Sequence, residues 1–346
     1  MSNLQIGLAI AGGVVLAAVV AHGAWSSRRN APRQALPEPG GDASPASLRE
    51  PSLDDEVHDT QPMTLPPVAR RSVMDSLIDV IATIALDGPH LVVSGEAAIA
   101  AMPATRRAGS KPFAIEGYNL TTLAWEVPVA GQRYGGFQAG VQLANRSGAL
   151  NEIEYSEYVV KTQAFADAIN ATPEFPEMLE EVARARELDQ FASAHDAQLG
   201  FTIRARNASW SPGYVQQNAA RLGFVAGVIP GRMVLPASTE GLAPVLVLSF
   251  DSQAALAEDP AQSAIRDIAL HLDVAQVDRN EQPFERMRDV AAALAQTMDG
   301  VVTDDNGQLL TAQTMDGIGA ELQGLYDTLE QRDLAAGSLL ARRLFA

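Results

Sequence analysis

Cysteine is absent from all 346 residues, which excludes disulfides, thiol catalysis and cysteine-based zinc sites. Aromatic residues make up only 5 % of the chain, so the cores are expected to be aliphatic, built from Ala, Val, Leu and Ile. Histidine is scarce. The five copies are His22, His58, His90, His195 and His271, none at metal-ligand spacing from another and none within an HExxH string. P-loop, GxGxxG and GxSxG strings are missing as well. Positive charge is in short supply: 25 Lys and Arg face 42 Asp and Glu, for a net charge of −17. That balance argues against nucleic acid and against a peripheral hold on anionic lipid. The Asp304-Asp305 pair beside Asn306-Gly307 reads as turn chemistry rather than a metal pair, and Arg106-Arg107 as surface charge rather than an anion site. Neither a catalytic constellation nor a cofactor or metal is implied.

What the chain does have is one long apolar run, Leu4 to Trp25, without a single Asp, Glu, Lys or Arg. At about 1.5 Å rise per residue, a helix of this length covers roughly 30 Å, enough for a bilayer's hydrocarbon core. Arg28, Arg29 and Arg33 follow at once, and only the terminal amine precedes it. By the positive-inside rule the N-terminus lies outside and the rest of the chain in the cytoplasm. A cleaved signal peptide is the rival, but it needs a basic start and a shorter apolar run. Residues 1–29 are therefore expected to be a single-pass anchor, held in the bilayer through 4–25. Residues 30–71 carry eight prolines among small and acidic residues, with almost no apolar periodicity. Such a stretch buries too little apolar surface to order itself and reads as a disordered, semi-stiff linker.

Folded sequence resumes at residue 72. Leu77–Leu86, Phe113–Tyr118, Tyr134–Leu143 and Asn151–Lys161 read as strands, and Ser94 caps a short helix over Gly95–Met102. Thr172-Pro173 is expected to open a long amphipathic helix running from Pro176 to His195. The second block, 196–332, begins with strict alternation over Gln198–Arg206: Leu199, Phe201, Ile203 and Ala205 one way, Gly200, Thr202 and Arg204 the other. A helix starts at Ser211-Pro212. Strands follow at Arg232–Pro236, Val245–Phe250 and Ala264–Val274, then a helix opened by Pro283. An Asn306-Gly307 hairpin over 300–310 precedes a last helix capped by Thr311. Residues 333–346 read as a weakly ordered helical tail. The fold class is α+β, with helices on one face of an antiparallel sheet. Because block 72–195 runs through its elements in a similar order, the two blocks read either as a degenerate repeat or as a coincidence between α+β segments.

Two strings resemble a known family. His22-Gly23-Ala24-Trp25-Ser26-Ser27-Arg28-Arg29 is similar to the HGxW[ST]SR[RK] string at the membrane exit of the ZipA family of bacterial cell-division proteins. Met298-Asp299-Gly300-Val301-Val302-Thr303-Asp304-Asp305, then Leu310-Thr311-Ala312-Gln313, resembles that family's GGVV-x-DD…MTPQ, and the likeness extends over Ala194–Leu329. Block 72–195 has no recognised counterpart. The resemblance implies a split β-α-β domain whose open sheet face is a shallow groove for the C-terminal tail of FtsZ, the tubulin-like GTPase of the division ring. It implies a non-enzymatic adaptor tying FtsZ filaments to the inner membrane at the septum. Carried onto this chain by alternation and by the family's groove, the partner-binding positions are Gly200, Thr202, Ile229, Phe250, Ser252, Ala269 and His271. Gly200, Ser252 and His271 are smaller or more polar than is usual there. Two other classes remain open from the residues: a membrane-anchored enzyme with its site in block 72–195, and a self-associating module whose sheets pack face to face.

Overall fold

Strand β1, Asp79–Leu86, alternates buried and accessible residues, and Val80, Ala82 and Ile84 are fully buried. The computed structural model describes residues 32–35, 74–88, 92–259 and 263–346. Residues 1–31 and 36–73, with the whole expected anchor and all of the expected linker but 32–35, lie outside them. No helix among the described residues is long and apolar enough to cross a membrane. The described residues fall into two compact units, 74–196 with 338–346 and 32–35 with 197–337.

In the N-terminal unit, β1 leads to β2 (Val93–Ser94), α1 (Gly95–Ala101), β3 (Arg107–Ala108), β4 (Lys111–Asn119), β5 (Ala124–Glu126) and β6 (Arg133–Gln142). The chain continues through β7 (Ala144–Asn145), β8 (Gly148–Ala149), α2 (Glu152–Ala168), β9 (Ala171–Glu174) and α3 (Met178–His195). The antiparallel sheet is ordered β3-β4-β6-β1-β9. Its core face sets Val80, Ala82 and Ile84 opposite Val141, Ala139 and Phe137. Helix α2 covers that face: Phe165 packs edge-on against Phe137 at 5.2 Å, and Tyr158 against Phe113 at 6.0 Å. The aliphatic-core expectation fails here, because Phe113, Tyr134, Phe137, Tyr155, Tyr158 and Phe165 are all buried in this unit.

Two expectations for this unit are overturned. Asn151–Lys161 is not a strand but the start of α2. Asn151 accepts the N–H groups of Ile153 and Glu154, and the Glu154 carboxylate reaches back to the Asn151 N–H, a complete capping box. The apparent alternation misled because Ile153 is 82 % exposed and packs on nothing. Thr172-Pro173 does not open a helix either. It lies in β9, which pairs with β1 as an edge strand, where a proline without N–H is tolerated.

In the C-terminal unit, β10 (Gln198–Ala205) is followed by α4 (Pro212–Ala220), β11 (Val225–Ala226), β12 (Arg232–Leu235), β13 (Leu246–Ser249) and α5 (Ser252–Leu256). Then come β14 (Asp267–Asp273), α6 (Pro283–Met298), β15 (Gly300–Thr303) and α7 (Ala312–Glu330). The sheet is antiparallel throughout, ordered β11-β12-β13-β14-β10-β15. Phe201, Ile203, Ile268, Leu270, Leu272, Leu246 and Leu248 form the core face, against Phe284, Met287, Leu294 and Met298 of α6. Trp210 is fully buried and its indole N–H donates to Met298 O at 2.8 Å. Within the stretch expected to be linker, residues 32–35 join this unit. Arg33 bridges Trp210 with a 2.7 Å bond to Ser209 O and a 2.9 Å bond from Ser211 N–H, and its guanidinium reaches Asp299 at 2.9 Å.

The tail also departs from its reading. After Gly337 the chain forms α8, Leu339–Leu344, capped by Ser338, and packs within the N-terminal unit with Ala341, Leu344 and Phe345 buried. Gln142 Nε2 donates to Arg343 O at 2.8 Å, and the Arg343 guanidinium grips the Asp79 carboxylate at 2.5 and 2.9 Å.

Candidate functional site on the open face of the C-terminal sheet

Opposite the helices, the C-terminal sheet presents side chains in two cross-strand rows. One runs Arg232, Ser249, Ala269, Thr202, Thr303 and the other Val225, Val234, Val247, His271, Gly200, each neighbour a register partner of the next. Parity dictates this. Phe201 and Ile203 point into the core, so Gly200 and Thr202 point out, as Ala269 and His271 do between Ile268, Leu270 and Leu272.

A cleft of about 630 Å³ lies over this face, with Gly200, Val247, Ser249 and His271 on its floor and Arg232 and Asp305 at its rim. The rim closes over Gly200: a Cβ there would meet the Asp305 carboxylate at 2.9 Å, so a larger residue would have to turn that side chain aside. Asp304, next to it, is the turn former. Its Oδ1 accepts the N–H of Asn306 at 2.9 Å and of Gln308 at 2.8 Å, while Gly307 takes φ +80°. Val247 on the floor, with Arg232 and Asp305 at the rim, makes a face with an apolar patch and charges of both signs at its edge.

Of the seven positions expected to bind a partner, four lie on this face: Gly200, Thr202, Ala269 and His271. The other three lie elsewhere. Strand β13 ends at Ser249. Phe250 shares the inward parity of Leu246 and Leu248 and is 9 % exposed, its N–H bonded to Gly231 O at 2.8 Å. Ser252 is the first residue of α5, under the Asp251 cap. Ile229 is 55 % exposed in the turn between β11 and β12. With Phe250 it lines a second cleft of about 940 Å³, between α4 and that turn. Val234, Val247, Ser249, Arg232 and Asp305 belong to the open face and escaped the reading. Their signal was the alternation itself, shifted by one residue in β13.

Among the described residues, fold and face define an α+β domain with α6 packed on one side of its sheet and a cleft on the other. Residues 250–321 match the family model of the ZipA C-terminal FtsZ-binding domain, which supports the ZipA family. The matched stretch takes in β14, α6, β15 and half of α7, and with them Phe250, Ser252, Ala269 and His271. No curated protein matches the chain.

Proposed function

We propose that this chain is a non-enzymatic cell-division adaptor that holds FtsZ at the inner membrane by docking the FtsZ C-terminal tail across the open face of the C-terminal sheet. The observation that carries the reading is the match to an FtsZ-binding domain over a unit whose sheet carries a cleft opposite α6. Apolar residues 4–25 supply the tether to the bilayer, with the N-terminus periplasmic, and the division septum is where such an adaptor works.

The enzyme reading asks for a perturbed acid or base in a deep pocket of block 72–195. Burial lowers the Lys111 pKa, and its ammonium is taken up by Asn145 Oδ1 at 2.8 Å and Gly148 O at 2.6 Å. Burial raises that of Asp79, which is held by Arg343. Both groups are engaged in structure, so neither supports chemistry.

The test is fluorescence anisotropy of a labelled FtsZ tail peptide with the chain. Saturable binding should weaken at least tenfold in Val247→Glu, whose side chain lies on the cleft floor and outside the core. Phe250→Glu is a poor probe, because it would bury a charge. Binding that survives Val247→Glu and is lost in Ile229→Glu moves the site to the edge cleft. No binding at high peptide concentration sinks the reading.

A further inference from the structure

The two units run the same course. In the N-terminal sheet β1 lies between β6 and β9, and β6 between β1 and β4. In the C-terminal sheet β10 lies between β14 and β15, and β14 between β10 and β13. A short serine-capped helix follows the first strand in each, α1 under Ser94 and α4 under Ser211. A long helix follows β6 and β14, and another follows β9 and β15, with a few short extra strands and turns between.

The register repeats too. Strand β9 pairs with β1 from Thr83 to Leu86, and β15 pairs with β10 from Thr202 to Ala205. Setting Thr83 on Thr202 lays the core residues Val80, Ala82 and Ile84 on Leu199, Phe201 and Ile203. Through the pairing this lays Gly140 on His271, since Ile81 faces Gly140 as Gly200 faces His271. Ala114 then falls on Val247, each being the next partner across. One superposition, carried across by the pairing, therefore sets three strands in correspondence.

The corresponding positions are filled differently. His271 stands open over the cleft floor. Its counterpart is a glycine, and Met74 lies against it: a Cβ on Gly140 would come within 2.7 Å of Met74 Sδ and 3.1 Å of its Cγ. The turn behind Met74 is fixed by Asp75 N–H to Asp79 Oδ2 at 2.9 Å and Leu77 N–H to Asp75 Oδ1 at 2.8 Å. We infer that the chain carries one fold twice and that its N-terminal copy is self-occupied. Met74 sits in cis over the row Ile81, Gly140, Ala114, while the matching row Gly200, His271, Val247 is left for an apolar, methionine-like side chain of the partner peptide. Only the identity of that peptide rests on the function proposed above.

The experiment uses the full chain in lipid nanodiscs, with ¹³C-methyl methionine. The Met74 methyl should show nuclear Overhauser cross-peaks to Ile81, Ala114 and Gly140. A solvent-like shift without those cross-peaks overturns the inference. Gly140→Val, on the outer face, should expel the methyl and abolish them while the core cross-peaks of Phe137 persist. Calorimetric titration with the FtsZ tail should then saturate at one equivalent; uptake of two equivalents by the native chain also overturns self-occupation. If the tail does not bind at all, the function reading falls and the Met74 cross-peaks still decide this one.

Discussion

Asp79 keeps a carboxylate where water hardly reaches, at 2 % exposure, and Arg343 is its counter-charge. Burial raises its pKa above the ordinary 3.8, with the guanidinium pulling the other way. For a raised acid, the contribution to stability is fully present below the unfolded-state pKa and is lost as pH rises through the folded one. Removing Arg343 takes away the opposing pull and steepens that loss. Arg343→Gln should therefore cost about 3–5 kcal/mol at pH 7 and less near pH 4, because the raised carboxyl takes up its proton as the pH falls. Urea unfolding at the two pH values measures it, and an equal loss at both would mean the aspartate carries no charge at neutral pH. Neither partner could be paired from the sequence, because 264 residues separate them and pairing across such a span has no local signature. The open face was half legible for the opposite reason. Parity in β10 and β14 is local and placed Gly200, Thr202, Ala269 and His271. In β13 the phase was read one residue out, so Phe250, which shares the inward parity of Leu246 and Leu248, was given the face that belongs to Val247 and Ser249.

Among the elements, those with strong local chemistry were readable: the Ser94 and Ser211 caps, the Pro283 opening of α6, and the Gly307 turn. The α2 helix was missed although Asn151-x-x-Glu154 is a capping signature, because its exposed apolar residues imitated a strand. Asn151→Ala should cost about 1 kcal/mol in thermal unfolding through loss of that cap. The tail was read as helical, but its docking was beyond local reading, since the surface that α8 packs on lies more than a hundred residues away in sequence. Deleting 338–346 removes buried Ala341, Leu344 and Phe345 and strands Asp79. We expect a loss of about 5 kcal/mol or more. Hydrogen exchange should show amides of β1 and β6 losing protection while those of β10 and β14 keep theirs; equal loss in both sheets would contradict two separate units.

At the scale of the molecule, the adaptor reading rests on tethering rather than on tight single contacts. A shallow face of about 630 Å³ gains most when anchor and filament multiply its encounters. Removing residues 1–29 should shift the chain from the membrane to the soluble fraction. It should reduce retention of FtsZ filaments on lipid bilayers by about a hundredfold, through lost effective concentration, and leave the affinity for the isolated tail peptide unchanged. Sedimentation with liposomes measures the first two and anisotropy the third. A drop in peptide affinity on removing the anchor would mean the anchor shapes the face itself.

The interlacing of the chain also sets an order of birth. Residues 32–35 belong with 197–337, and 74–196 with 338–346, so the polypeptide visits each unit twice. Domains made in simple succession finish in the order they leave the ribosome. Here the strands synthesised first must wait for Arg343, Leu344 and Phe345, while the later unit is complete once Gly337 has emerged. A chain cut short between Gly337 and Phe345 thus carries a finished C-terminal sheet and an unfinished N-terminal one, and a protease could tell such a product from a whole one by β1 alone.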